Sequence, residues 1–217
     1  MAVKNDNNAD SKRSTPKKLG TRDESVIRAE IAVELEKSTR GNLAQLDRHA
    51  KADLEKRIVF DFAKANNLWI EDLYTLGVPM KGGGNENTLA INAETGALYK
   101  SNNLFNTNFL VSTLLKQVKA HNLLFPETKY ELIGFTGFDN GSKRTPYVEV
   151  ILKQDYVPNA MPATEQEIAD FMLAIGFEKI NEYTFRRDEY IVSDLYPRNV
   201  LKDENGIIYI VDNIIRF

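Results

Sequence analysis

Three polar residues near the end of the chain have the types and spacing to hold a metal ion and a proton acceptor. Asp194 and Asn199 stand five residues apart in "SDLYPRN", and Asp212 follows the apolar run "IIYIV". Hard cations such as Mg²⁺ take oxygen ligands, which the amide of Asn199 and the carboxylate of Asp212 can supply. Asp194 can orient a hydroxyl group and accept its proton. Turns rich in Asp, Pro and Asn also form without any function, so this segment alone does not decide the chemistry.

An upstream segment has the residues to bind phosphate. Gly82, Gly83 and Gly84 precede two predicted strands, and Lys100 ends the second of them. Glycine lets backbone N–H groups approach phosphate oxygens without a Cβ in the way, and a lysine ammonium neutralises phosphate charge. Taken singly, three glycines are typical of a flexible turn, and a lysine at a strand end is typical of a solvated surface.

The order of these segments is more informative than any one of them. Phosphoryl transfer needs held phosphates, held Mg²⁺ and a positioned nucleophile. The chain runs from the glycine turn through the strand lysine, a helix and more strands to "DLYPRN" and "IVD", which is the order that builds a nucleotide cleft. The sequence therefore predicts ATP and Mg²⁺ as cofactors. Asp194 and Lys100 are the predicted catalytic residues, and Asn199 and Asp212 are the predicted metal ligands.

The elements that must position these residues follow an α+β order, with strands, one helix, more strands and another helix. Residues 1–20 are polar and basic and are predicted to form a disordered tail, because they have too few apolar groups to offset chain entropy. Residues 21–75 are predicted to be a helical extension, and residues 76–217 the catalytic domain. Within that domain a helix is predicted over residues 104–122, carrying Phe105 and Phe109 on one face.

Composition limits the partners. The net charge is −3, which gives no general attraction to nucleic acid, and the basic tail is interpreted as solvated. There is no Cys, so disulfides and cysteine nucleophiles are excluded. No apolar run approaches the length of a membrane helix and no signal peptide is visible, so the sequence predicts a cytoplasmic protein without a membrane partner.

Residues 193–212 resemble the catalytic loop and metal-binding Asp of the protein-kinase-like superfamily. With "GGGNEN", "LYK" and "AHNLLFPETKYELIGFTG" they resemble a narrower group, the kinase domain found in polyvalent proteins of phages and conjugative elements, over about residues 65–217. The resemblance implies a minimal two-lobe fold, with a sheet and one helix in residues 76–157 and a short, truncated helical lobe in residues 158–217. It also implies that "LKQDYV" is the hinge that holds adenine, which adds Gln154 and Tyr156 to the nucleotide site.

The sequence departs from the usual kinase pattern at the partner of the lysine and around the metal ligands. "VSD" and "VDN" stand where kinases usually have "HRD" and "DFG", and the helix after Lys100 contains no Glu. Glu86, next to the glycine turn, is the predicted substitute partner of Lys100, and Gln117 is a second candidate. No activation segment or peptide-docking helix follows Asp212 in the sequence.

Two functions stay open at this point. One is a phosphotransferase that moves the γ-phosphate of ATP to a hydroxyl of an unknown protein or small molecule, which the retained Lys100, Asp194, Asn199 and Asp212 favour. The other is a nucleotide-binding pseudokinase or interaction module of a mobile genetic element, which the departures favour. Nucleic-acid binding through the basic tail is a third hypothesis, which the net charge disfavours.

Overall fold

Three helices and twelve short strands form most of residues 46–141 and 144–217. The structure is a computed structural model, and it describes residue 28 and residues 30–33, 46–141 and 144–217. Residues 28 and 30–33 are helical, whereas the predicted disordered tail lies outside the described residues. The helices are α1 (Arg48–Ala65), α2 (Val111–Leu124) and α3 (Glu165–Ala174). The strands are β1 (Val78–Met80), β2 (Asn87–Asn92), β3 (Ala97–Asn102), β4 (Glu131–Phe138), β5 (Tyr147–Asp155), β6 (Met161–Pro162), β7 (Glu178–Asn181), β8 (Thr184–Arg187), β9 (Tyr190–Ser193), β10 (Val200–Lys202), β11 (Ile208–Ile210) and β12 (Ile214–Arg216).

A five-stranded antiparallel sheet carries Lys100. Its strand order is β1-β2-β3-β5-β4. The hairpin predicted between β2 and β3 is present, and Gly96 in its turn has a φ of +65°, which glycine adopts without strain. Lys100 lies in β3, between Leu89 of β2 and Leu152 of β5. Because strands pair with β3 on both sides, the backbone of Lys100 is held on a rigid element.

Helix α2 is shorter at its start than the sequence predicted. The predicted helix over residues 104–122 is wrong for its first seven residues, because α2 begins at Val111. Leu104, Asn108 and Phe109 have positive φ angles of 67°, 55° and 63°, which a right-handed helix does not contain. Phe105 and Phe109 are consequently exposed rather than on a buried helical face.

Helix α1 packs on the sheet and caps α2. Ala63 is buried in the same core as Phe135 of β4. Glu55 is 2% exposed, and its carboxylate accepts hydrogen bonds from the backbone N–H (3.0 Å) and the hydroxyl (2.7 Å) of Ser112. The first N–H groups of a helix lack partners within the helix and favour a nearby negative charge. The side chain of the N-cap residue, Leu110, has no acceptor for their hydrogen bonds. The predicted extension therefore helps to position α2.

The part of the chain after β5 is richer in strands than expected. The prediction that residues 158–217 form a short helical lobe is wrong, because these residues contain one helix, α3, and seven short strands. The strands form a three-stranded sheet, β11-β10-β6, and a four-stranded sheet, β12-β9-β8-β7. Helix α3 begins with a capping box between Thr164 and Glu167. The α+β class is confirmed, with antiparallel sheets throughout.

Helix α2 connects the two main groups of buried apolar residues. Leu114 belongs to the group that joins α1 to the five-stranded sheet. Leu124 belongs to the group around α3, which includes Phe185 and Ile210. The division into two lobes stays a prediction. None of the helices in the described part of the chain combines the length and apolar character needed to cross a membrane.

Candidate active site

One cleft of about 650 Å³ collects ten of the residues predicted to take part in catalysis or ligand binding, whereas Gln117, the second candidate partner of Lys100, does not line it. A cleft of this size lies within the usual range for sites that bind small molecules. The ten assigned residues that line it are Gly82, Gly83, Gly84, Glu86, Lys100, Gln154, Tyr156, Asp194, Asn199 and Asp212. The structure thus brings the candidate site together, and the role of each residue stays a prediction.

The glycine turn precedes β2 and is fixed to the loop after β3. Residues 82–84 have positive φ angles of 131°, 80° and 61°. The carboxylate of Glu86 accepts hydrogen bonds from the side-chain amides of Asn102 (3.1 Å) and Asn106. Burial raises the pKa of Glu86, and the negative charge of Asp212 adds to this effect. Glu86 therefore anchors the turn, whatever else it does in the cleft.

A pair of alanine substitutions tests whether the shape of the glycine turn matters for nucleotide binding. A Cβ on Gly83 would stand 2.1 Å from the carbonyl oxygen of Asn87, whereas a Cβ on Gly84 would meet nothing within 4 Å. Both positions share the cost of a positive φ, about 1–2 kcal/mol, so Gly84→Ala is the matched control. We expect Gly83→Ala to weaken ATP binding about tenfold more than Gly84→Ala, as measured by calorimetric titration. Equal affinities in the two variants would contradict this role of the turn.

Lys100 is buried beside the strand that leads to Asp212. Its ammonium donates hydrogen bonds to the carbonyl oxygen of Val211 (2.6 Å) and to the hydroxyl of Tyr130 (3.2 Å). Burial lowers the pKa of Lys100, and the charge of Asp212 opposes that shift. No ion pair among the described residues joins Lys100 to a carboxylate. The proposed pairing of Glu86 with Lys100 is therefore not formed here, and the role of Glu86 stays a prediction.

Tyr130, at the entrance to β4, is a site residue that sequence reasoning missed. Its hydroxyl donates a hydrogen bond to the carbonyl oxygen of Val211 (2.7 Å) and accepts one from Lys100. Burial raises the pKa of Tyr130 well above its ordinary value, so the phenol is neutral. A tyrosine just before a strand is typical of a core position, and nothing in its sequence neighbourhood distinguishes it.

His121 of α2 is a second missed residue, and it packs behind Tyr130. The centroids of the two rings are 4.6 Å apart. The ring nitrogens of His121 lie 3.3 Å from the side-chain oxygen of Asn213 and 2.9 Å from the carbonyl oxygen of Thr128. Burial lowers the pKa of His121 from its ordinary 6.5 to about 4. The helix thereby contacts the residue next to Asp212 through a neutral imidazole.

The lowered pKa of His121 predicts loss of stability in acid. The folded protein favours the neutral ring, so this contribution is fully present above pH 6.5 and is lost as pH falls toward about 4. The contribution is at most about 3 kcal/mol. We expect urea unfolding between pH 7 and pH 4 to show a smaller loss of stability in His121→Gln than in the wild type. His49, the other histidine of the chain, is exposed, and His49→Gln should keep the wild-type pH dependence. A wild-type dependence in His121→Gln would contradict the assignment.

The loop between β9 and β10 is closed by Asn199 around Asp194. The amide nitrogen of Asn199 donates hydrogen bonds to the carbonyl oxygen (2.8 Å) and the carboxylate (2.7 Å) of Asp194. Both bonds use Nδ2, so the amide oxygen is available to a cation. Burial raises the pKa of Asp194, and Arg198, 3.4 Å away, opposes the shift. A carboxylate whose pKa is raised toward pH 7 is a better proton acceptor at physiological pH.

The β10–β11 hairpin returns Asp212 to Asn199. The backbone N–H groups of Val211 and Asp212 lie 3.0 and 3.3 Å from the carbonyl oxygen of Asn199, which accepts both hydrogen bonds. In the described part of the chain, no group of three or more His, Asp or Glu side chains could hold a metal by itself. Mg²⁺ is commonly bound by one or two protein ligands together with substrate phosphates. Asn199 and Asp212 therefore fit a cation that binds with a nucleotide.

Gln154 and Tyr156, at the end of β5, border the same cleft. The buried side chain of Gln154 donates a hydrogen bond to the carbonyl oxygen of Thr128 (2.6 Å), and its amide oxygen has no partner among the described residues. The backbone N–H of Tyr156 donates to the carbonyl oxygen of Gly96 (2.8 Å). The predicted hinge is thus placed to contact a ligand, with the Tyr156 N–H already bonded within the protein.

Comparison with protein families gives a match over most of the chain. Residues 52–217 match the model of the family described as Serine/Threonine/Tyrosine Kinase found in polyvalent proteins. The chain belongs to this family. The search of the curated proteins and the search of the solved structures returned no significant match.

Membership of this kinase family confirms the resemblance stated for the sequence and moves its boundary. The match begins inside α1, whereas the sequence analysis placed the start of the resemblance near residue 65. Most of α1 is therefore within the matched region, in agreement with the shared core and the Glu55 cap. A kinase-like phosphotransferase is the function that the family match supports.

Proposed function

We propose that this protein is an ATP- and Mg²⁺-dependent phosphotransferase that moves the γ-phosphate of ATP to a hydroxyl acceptor. The observation that carries the proposal is the convergence of Lys100, Asp194, Asn199 and Asp212 on the cleft that the glycine turn also lines. Phosphoryl transfer needs positioning and charge stabilisation, and these four side chains are of the types that supply both.

Asp194 is the proposed base. Asn199 holds its carboxylate, and burial raises its pKa. An acceptor hydroxyl beside this carboxylate would be oriented by a hydrogen bond and would transfer its proton to Asp194 as the new oxygen–phosphorus bond forms. Arg198, the charged neighbour of Asp194, would limit the build-up of negative charge there before transfer.

The phosphates of ATP are proposed to bind Lys100 and the backbone of the glycine turn. Two of the three N–H groups of Lys100 donate to Tyr130 and Val211, which leaves one for a phosphate oxygen. Asn199 and Asp212 would hold Mg²⁺, which when bound neutralises phosphate charge. Gln154 and Tyr156 would contact adenine, as the family resemblance implies.

The proposed acceptor is a hydroxyl of a protein or of a small molecule. Asp194 is about one third exposed, so the base is reachable from solvent by either class. The net charge of −3 provides no general attraction to nucleic acid. The proposal therefore includes neither nucleic acid nor a membrane among the partners.

A nucleotide-binding pseudokinase of a mobile genetic element is the second candidate function. The observation in its favour is that Lys100 has no carboxylate partner among the described residues and is bonded to Val211 instead. A lysine held in this way could bind phosphate without supporting transfer. This candidate predicts that ATP stabilises the fold without being consumed.

Phosphorus NMR of ATP incubated with the full chain separates the two functions. A phosphotransferase is expected to convert ATP to ADP and to a phosphoester or inorganic phosphate, in a reaction that requires Mg²⁺. A rise in the unfolding temperature with ATP but no ADP over many hours would favour the pseudokinase. If ATP neither raises the unfolding temperature nor is consumed, both proposals are contradicted.

A further inference from the structure

Lys100 needs a partner that fixes its position, and helix α2 supplies no carboxylate. A lysine side chain has a flexible four-carbon stem, and ordering it costs conformational entropy when a ligand binds. Residues Val111–Leu124 contain neither Asp nor Glu. Glu86 is the substitute partner predicted from the sequence, but its carboxylate is bonded to the side chains of Asn102 and Asn106.

Tyr130 meets the geometric requirement. Its hydroxyl, the Lys100 ammonium and the Val211 carbonyl oxygen form a closed triangle, with contacts of 3.2, 2.6 and 2.7 Å. The hydroxyl donates its one hydrogen to Val211, so it presents a lone pair to Lys100. The ammonium also lies 5.0 Å from the centre of the Tyr130 ring, within the range of a cation–π contact.

Helix α2 holds Tyr130 through its last turn. The side-chain oxygen of Asn122 accepts a hydrogen bond from the backbone N–H of Tyr130, and its amide nitrogen donates to the Tyr130 carbonyl, both at 2.7 Å. The ring of His121 packs against the Tyr130 ring. Backbone and ring are therefore both fixed by α2, and Tyr130 transmits the position of this helix to Lys100.

We propose that Tyr130 is the positioning residue of Lys100, and that α2 acts on the phosphate-binding lysine through a tyrosine hydroxyl where a carboxylate would otherwise stand. This inference rests on the proposed phosphotransferase function for its kinetic consequence but not for its geometry. Tyr130 is neutral and so does not itself offset the positive charge of Lys100, while the shared carbonyl oxygen of Val211 ties the lysine to the residue before Asp212.

Tyr130→Phe removes the hydroxyl and retains the ring that packs on His121. A hydrogen bond to a charged group contributes enough to predict a fall of about 10- to 100-fold in kcat/KM for ATP. Tyr209→Phe is the control, because the Tyr209 hydroxyl contacts Asp203 in a turn and lies outside the cleft residues. The control is expected to keep wild-type kinetics.

A double-mutant cycle with Lys100→Met separates positioning from a general structural effect. If Tyr130 acts through Lys100, adding Tyr130→Phe to Lys100→Met causes no further fall in ATP affinity or kcat/KM. Fold losses that multiply in the double variant would overturn the proposal. The same cycle with Glu86→Gln shows whether Glu86 also acts through Lys100.

A measurement without nucleotide keeps this inference separate from the proposed function. We expect an amine-reactive acylating reagent, followed by peptide mass spectrometry, to label Lys100 several-fold faster in Tyr130→Phe than in the wild type. Lys153, which pairs with Glu131 on the same sheet, should be labelled at the same rate in both proteins. Equal labelling of Lys100 would overturn the role of Tyr130. Failure of the wild type to turn over ATP would instead overturn the proposed function.

Discussion

Asp194→Asn is expected to lower kcat by about 100- to 10,000-fold while ATP affinity stays close to that of the wild type. Asparagine keeps the size of the side chain and can still contact Asn199, but it cannot accept the proton of a hydroxyl. Because Asp194 is proposed to act on the acceptor, the loss should appear in turnover and not in nucleotide binding.

Asp188→Asn is the matched control for this substitution. Asp188 is exposed in the β8–β9 turn and has a positive φ of 53°, similar to the 65° of Asp194. Each variant therefore removes one carboxylate at a residue with a similar positive φ, and Asp194 lines the cleft whereas Asp188 does not. Steady-state kinetics and calorimetric titration with ATP provide the comparison. Wild-type kcat in Asp194→Asn would remove Asp194 from the catalytic role.

Asp212→Asn is expected to abolish the effect of Mg²⁺ on ATP. In the wild type, we expect Mg²⁺ to strengthen ATP binding and to be required for turnover. The variant should bind ATP equally with Mg²⁺ and with chelator, and its turnover should fall by about 1,000-fold, because several kcal/mol of charge stabilisation are lost with the cation. The fold should persist, since the backbone N–H of Asp212 keeps its bond to Asn199.

Asp170→Asn controls for the loss of one negative charge in this acidic protein. Asp170 is exposed on α3 and lies outside the residues that line the cleft. The measurement is the shift in unfolding temperature caused by ATP, with and without Mg²⁺, for both variants and the wild type. A Mg²⁺-dependent shift that survives in Asp212→Asn would assign the cation to other ligands.

The residues that the sequence could identify are those fixed by local spacing. Asp194 and Asn199 lie in one short loop, and a hairpin with a recognisable turn returns Asp212 to Asn199. Lys100 follows from the β2–β3 hairpin after the glycines. Each residue is placed within its own segment by elements close in sequence, and the order of the segments along the chain predicted that they would line one cleft.

The contacts that the sequence could not identify join residues far apart along the chain. The bond from Lys100 to Val211 spans 111 residues, and that from Tyr130 to Val211 spans 81. Glu55 caps α2 across 57 residues and lies on the buried face of its own helix. A single charged or aromatic residue on such a face has no periodicity that marks its partner, and only the tertiary packing selects it.

The start of α2 and the second half of the domain show a different limit. Phe105 and Phe109 have helical spacing, but neighbouring residues in the left-handed region delay the helix to Val111. Residues 158–217 form strands of only two to four residues, at or below the lower end of the roughly four to eight residues over which alternation is a strand signal. The family resemblance implied a helical lobe there, and the structure has one helix, α3, among the strands.

The proposed γ-phosphotransferase activity is tested most directly by tracing the label of ATP into products, in the presence of Mg²⁺ and the full chain. Parallel reactions use ATP labelled at the γ- or at the α-phosphorus, with Asp194→Asn as the control protein. We expect the γ-label to leave ATP for a hydroxyl acceptor or water, the α-label to stay in ADP, and the reaction of Asp194→Asn to be at least about 100-fold slower. Retention of both labels in ATP, or transfer of the α-label, would contradict a γ-phosphotransferase.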